Sequence, residues 1–105
     1  MSDLQKTFIK NMKTARNDLS YSQEKLAELC GLSSSFIGEI EIGRRFPSIG
    51  NIEKIAGALK LKPYQLFLTD TDKKEFDRLK EFKEIQTELN KKVKKVIDET
   101  FFKRL

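Results

Sequence analysis

Histidine is absent from the chain and cysteine occurs once, as Cys30. Without histidine there is no imidazole base and no Ser-His-Asp or Cys-His nucleophile pair, and most zinc sites are excluded. The chain is therefore not expected to be an enzyme, nor to hold a metal or another cofactor. A single cysteine forms no intrachain disulfide, which makes the reducing cytoplasm the expected compartment. No apolar run approaches the roughly 20 residues of a membrane-spanning helix. The opening Met1 to Lys6 has no apolar stretch behind its first charges, so no signal peptide is expected there. Glycine and proline are missing from 71–105, and alternating apolar and polar runs of strand type are missing throughout.

What remains is a chain of 105 residues with 35% charged and 38% hydrophobic side chains. It carries 21 basic and 16 acidic groups, a formal net charge of +5. That basic excess is compatible with a polyanionic partner and equally with a solvated surface. All five glycines and both prolines lie between Gly31 and Pro63, and they punctuate a series of short helices. Leu4, Phe8, Met12 and Ala15, closed by Leu19, form the apolar stripe of a helix over 3–18. Ser22, Ser33 and Ser48 stand where N-caps would open helices over 23–30, 34–42 and 49–60. Gly31 and Gly43 stop the first two. The 49–60 helix turns Ile49, Ile52, Ile55, Ala56 and Leu59 inward. Pro63 suits the first turn of a fifth helix carrying Tyr64, Leu66 and Phe67. The segment 71–105 reads as one long uninterrupted helix.

Two short helices, 23–30 and 34–42, are joined by only Gly31, Leu32 and Ser33, a helix-turn-helix spacing. The run from Leu19 through Ser22, Gln23, Leu26, Ala27 and Gly31 to Ser33, followed by Ile37, Gly38, Ile40, Gly43 and Ser48, closely resembles the phage-repressor/Cro type of helix-turn-helix domain, the Xre-like family. Ile52, Ile55, Ala56 and Leu59, then Pro63 to Phe67, are similar to that family's fourth and fifth helices. The resemblance spans about residues 4–69. It implies an all-α fold: a five-helix repressor-type DNA-binding domain over 1–70, with a long C-terminal helix over 71–105 outside the resemblance.

Periodicity alone puts Ile37, Ile40 and Phe36 on one face of the 34–42 helix, and Ser34, Ser35, Gly38, Glu39 and Ile42 away from it. A helix entering the major groove must be slim outside, and its N-terminal residues reach base edges. This nominates Ser34 and Ser35 beside the capping Ser33, and Glu39 as an acceptor for a cytosine amino group. Gly38 is read either as room for close approach to DNA or as tight packing against another helix. Phe36 is read as the edge of the core or, where relatives contact DNA, as part of the interface. The resemblance places Gln23 on a phosphate, and Arg44 and Arg45 follow the helix where a flexible pair could neutralise phosphates. It also implies that Arg16 and Glu41 form a structural ion pair. Cys30 ends an apolar stripe and reads as a small core residue.

In the last segment Phe76, Leu79, Phe82, Leu89, Val93, Val96 and Phe101 recur at spacings of three, four and seven, widened by Ile85 and Ile97. With Leu79 at heptad position a, Phe82, Leu89 and Val96 fall at d, while Gln86 and Thr100 interrupt the a positions. A helical dimer and a helix folded over its own domain both fit this damaged seam, and the width of the stripe favours the dimer. The run Lys91, Lys92, Lys94 and Lys95 reads as a solvated face or as a nonspecific DNA contact. The functional expectation is a homodimeric, sequence-specific regulator of transcription. It would bind double-stranded DNA at a pseudo-palindromic operator, with no membrane partner and no small-molecule ligand. The alternative is a protein-interaction module, antitoxin- or adaptor-like, on the same fold.

Overall fold

The computed structural model describes residues 1–102, and side chains through Thr100. The fold is all-α, with α1 Asp3–Asp18, α2 Gln23–Cys30, α3 Ser34–Glu41, α4 Ile49–Ala58, a 3₁₀ turn Pro63–Phe67 and α5 Asp70–Ile97, which ends in a π-helical turn Asp98–Phe102. The expected fifth helix is thus a single 3₁₀ turn, opened by Pro63. The expected 71–105 helix is α-helical to Ile97 and π-helical over Asp98–Phe102, and its part over 103–105 lies outside the described residues. The chain divides into two compact units, Met1–Thr69 and the segment beginning at Asp70. Among the described residues no helix is long and apolar enough to cross a membrane.

Serine hydroxyls start the helices. Ser22, Ser33 and Ser48 accept from the backbone N–H groups of Lys25, Phe36 and Asn51 at 3.0–3.2 Å, which satisfies donors that a helix N-terminus leaves unpaired. Ser2 opens α1 in a reciprocal arrangement with Gln5. Gly31 closes α2 with φ +70°, and the Leu32 N–H turns back to the Ala27 carbonyl at 2.9 Å.

The core of the first unit is built on Phe8, Met12, Leu26, Ile37, Ile40, Ile55 and Leu66, all fully buried. Phe8 stands between Phe46 and Phe67, at ring distances of 5.1 and 5.3 Å. Asn11 is buried beside them and donates from Nδ2 to the Leu66 and Leu68 carbonyls, at 2.9 and 2.8 Å. This fastens the 3₁₀ turn to α1. Cys30 is a core residue, its Sγ 3.8 Å from the Lys54 carbonyl. Burial pushes its thiol pKa up, against a weaker downward pull from Lys54. Two stripe residues depart from expectation. Leu4 and Ile49 are exposed, and so is Tyr64. Leu4 and Ile49 continue the apolar spacing into the first turn of their helices, beyond the level at which neighbouring elements cover the stripe.

Candidate nucleic-acid interface

The geometry of α3 follows from its two faces. Ile37, Ile40 and Glu41 point inward and are buried, while Ser33, Ser34 and Ser35 stand exposed at the N-terminal end. The Ser33 hydroxyl accepts the Phe36 N–H at 3.1 Å, so one of its lone pairs is committed to the cap. Ser34 and Ser35 occupy the free first turn.

Below them the helix is held by one polar cluster. Arg16 donates from Nε and Nη2 to the two oxygens of Glu41, at 2.6 and 3.2 Å, and from Nη1 to the Tyr21 carbonyl at 2.8 Å. The side chains of Arg16 and Glu41 are only 14% and 3% exposed. Gln23, at the start of α2, donates its amide Nε2 to Glu41 at 2.6 Å. A Cβ at Gly38 would stand 3.4 Å from Gln23 Oε1, an ordinary van der Waals contact, so this neighbour does not itself require glycine. Spacing along the chain does not show the Gln23–Glu41 bond, because it joins the first turn of α2 to the far end of α3.

A second cluster lies on the outward side. Arg45 donates from Nε to Glu39 Oε2 at 2.8 Å, and its guanidinium carbon stands 5.8 Å from the centre of the Phe36 ring. The backbone N–H groups of Arg44 and Arg45 both turn back to the Glu39 carbonyl, at 2.9 and 3.3 Å. The loop after α3 is thereby folded against its outer face. Phe36 is half-buried, packed on the core and still open to Arg45. Ser33, Ser35, Phe36, Glu39 and Arg45 line one shallow concavity, and Asn51 of α4 joins them. Asn51 has no local sequence mark; only the return of the chain through Pro47 and Ser48 brings it there. Arg44 and Ile42 are exposed.

The stripe of α5 is placed as a continuous exposed face. Phe76, Leu79, Phe82, Leu89, Val93 and Val96 are 53–65% exposed, and no residue of this helix is buried. The Phe101 side chain lies outside the described residues.

Comparison with known proteins gives this arrangement its context. A helix-turn-helix family model matches residues 12–66. A hypothetical transcription factor of Neisseria meningitidis serogroup B is 39% identical over 66 residues, 63% of this chain and 62% of the relative. The chain thus spans about six-tenths of that relative's length. The solved structure of the Neisseria factor superposes with a TM-score of 0.67 at 35% identity, covering 70% of this chain and 85% of the other. The control protein C.BamHI of Bacillus amyloliquefaciens is 40% identical over 58 residues, 55% of this chain and 69% of the relative. The immunity repressor of Bacillus phage phi105 is 31% identical over 90 residues, 76% of this chain and 62% of the relative. These relatives are named as regulators, not as enzymes. The chain belongs to the helix-turn-helix family of transcription regulators, in its phage-repressor, Xre-like branch.

Proposed function

We propose that the protein is a sequence-specific regulator that binds double-stranded DNA as a homodimer at a pseudo-palindromic operator, with α3 as the reading helix. The observation that carries this reading is the outward side of α3. Two serines and a glycine keep it slim, one carboxylate stands a turn further on, and Arg44 and Arg45 border it. Ser34 and Ser35 are positioned to offer hydroxyls to base edges, and Glu39 to accept from cytosine. The two arginines are the candidates for phosphate neutralisation. Gln23 is left to donate to a phosphate with its backbone N–H at the start of α2 or with the second hydrogen of its side-chain amide, because the first is given to Glu41. Regulation then comes from occupancy of the operator and needs no covalent chemistry. The exposed stripe of α5 supports the homodimer, since two-fold symmetry in the protein matches a palindrome in DNA.

Selection of binding sites from random duplex DNA tests the reading. The wild-type chain is expected to select inverted half-sites spaced by one helical turn or a multiple of it. Ser35→Arg and Glu39→Ala are expected to change the preferred base, at about 1–3 kcal/mol per altered contact. Identical sites bound equally well by all three proteins would show that α3 is not the reader.

A further inference from the structure

We propose that the α5 stripe pairs with the same stripe of a second copy in antiparallel orientation. The inference rests on the homodimer reading above and adds the direction of the pairing, which charge and side-chain size along the helix decide.

Charge is uneven along α5. Between Asp70 and Ile85 six acids accompany five bases, whereas between Gln86 and Ile97 Glu88 stands alone against Lys91, Lys92, Lys94 and Lys95. Parallel pairing would gather both lysine clusters at the same end of the dimer, with Lys92 at g flanking the seam and Lys91, Lys94 and Lys95 facing outward, and like charges so gathered oppose association. Antiparallel pairing places the two clusters at opposite ends, each at the same level as the more acidic half of the other copy.

The seam gives the same direction. In a parallel pair each a and d residue faces its own counterpart. Phe82 would meet Phe82 and Val93 would meet Val93, giving alternately crowded and thin layers, and Gln86 would meet Gln86. The flanking g and e positions would bring Arg78 against Lys83 of the partner subunit and Ile85 against Asn90 of the partner subunit. In an antiparallel pair, a residues meet d residues. Leu79 then faces Val96 of the partner subunit and Phe82 faces Val93 of the partner subunit, large against small in each layer. The flanking Phe76 meets Ile97 of the partner subunit, which brings two exposed apolar side chains into the seam. The centre of such a pair falls near Thr87 and Glu88.

The test is made on the full chain. Sedimentation at micromolar concentration establishes whether it is a dimer. Spin labels are then attached, in a Cys30→Ala background, to Asp77→Cys in one sample and Thr87→Cys in another. Both positions are exposed. At about 1.5 Å rise per residue, antiparallel pairing separates the two labels at 77 by roughly 30 Å along the axis and those at 87 by almost nothing. The distance at 77 is therefore expected to exceed that at 87 by more than about 15 Å once lateral separation is included. A second measurement uses disulfides: Leu79→Cys mixed with Val96→Cys is expected to give a mixed dimer on oxidation, and neither variant alone to crosslink with itself. A dimer with equal distances at 77 and 87, or with self-crosslinking at 79 and at 96, overturns the antiparallel pairing and leaves the homodimer standing. A monomer overturns both, and the stripe then belongs to a different protein.

Discussion

Removing Glu41 should destabilise the first unit more than any change on the outer face of α3. Its carboxylate is 3% exposed and accepts three hydrogen bonds, two from Arg16 and one from Gln23. Glu41→Ala leaves the Arg16 guanidinium, itself 14% exposed, with the Tyr21 carbonyl and no counter-charge. Breaking a buried pair from one side costs about 3–5 kcal/mol, because the remaining charge stays desolvated. A domain of this size has a total stability of about 5–15 kcal/mol. Each kcal/mol moves its Tm by roughly 4–8 °C, so a fall of at least about 12 °C is expected. Arg16→Ala should cost a similar amount from the other side. The double variant Arg16→Met/Glu41→Leu should lose clearly less than the two single losses together, since no charge is left buried. Urea titrations of the four proteins, with unchanged m-values, give the cycle. Single losses below about 0.5 kcal/mol, the range of ordinary surface substitutions, would refute the assignment of this cluster as the tie between α1, α2 and α3.

Three further outcomes are expected. Gly31→Ala meets no atom within 4 Å of its new Cβ but holds φ +70°, so it should cost only the left-handed backbone penalty of about 1–2 kcal/mol, read by thermal melting, with Gly31→Asn milder. Arg44→Ala should weaken binding to all DNA sequences alike and make the salt slope shallower by about one, whereas Arg45→Ala should in addition alter base preference, because it releases Glu39; equal behaviour of the two would deny the Arg45–Glu39 pair a role. The Cys30 thiol, its pKa raised by burial, should resist a thiol reagent at neutral pH in the native protein and react on unfolding; its folded form favours the neutral thiol, so this contribution to stability is complete below pH 9.0, the ordinary thiol value, and is lost as pH rises above it.

The helices of the first unit were legible because their stops and starts are local chemistry. A serine hydroxyl three residues from a free N–H, or a glycine in the left-handed region, acts within a few residues of chain. The core positions Phe8, Met12, Leu26, Ile37, Ile40 and Ile55 followed from period alone. Leu4 and Ile49 did not, since period says which way a residue faces and not whether anything covers it there. The link from Gln23 to Glu41, and the fold of Arg45 over Glu39 and Phe36, are illegible for a different reason. Each depends on where a long side chain comes to rest across a gap between elements, which spacing along one helix does not encode. The 3₁₀ turn reads as a helix in the sequence because Pro63 is equally good at opening either. Its anchor, Asn11, lies 55 residues earlier in the chain.

The two polar clusters on α3 divide its work by burial. The Arg16–Glu41–Gln23 cluster is shielded from water, so its geometry is costly to disturb and it fixes the helix in place. The Arg45–Glu39 pair has side chains 63% and 38% exposed. A pair in that setting is worth about 0–1 kcal/mol. Opening this pair to free Glu39 and Arg45 for DNA contacts therefore costs little. A base contact by Glu39 would discriminate against a wrong base by up to about 1–3 kcal/mol, and a phosphate contact by Arg45 would release counterions. In the free protein the same pair holds the Glu39 carboxylate beside a positive charge, which lowers the repulsion that an acidic group on a reading helix presents to approaching phosphates. On the α3 reading, a glutamate in the interface is tolerable because Arg45 accompanies it.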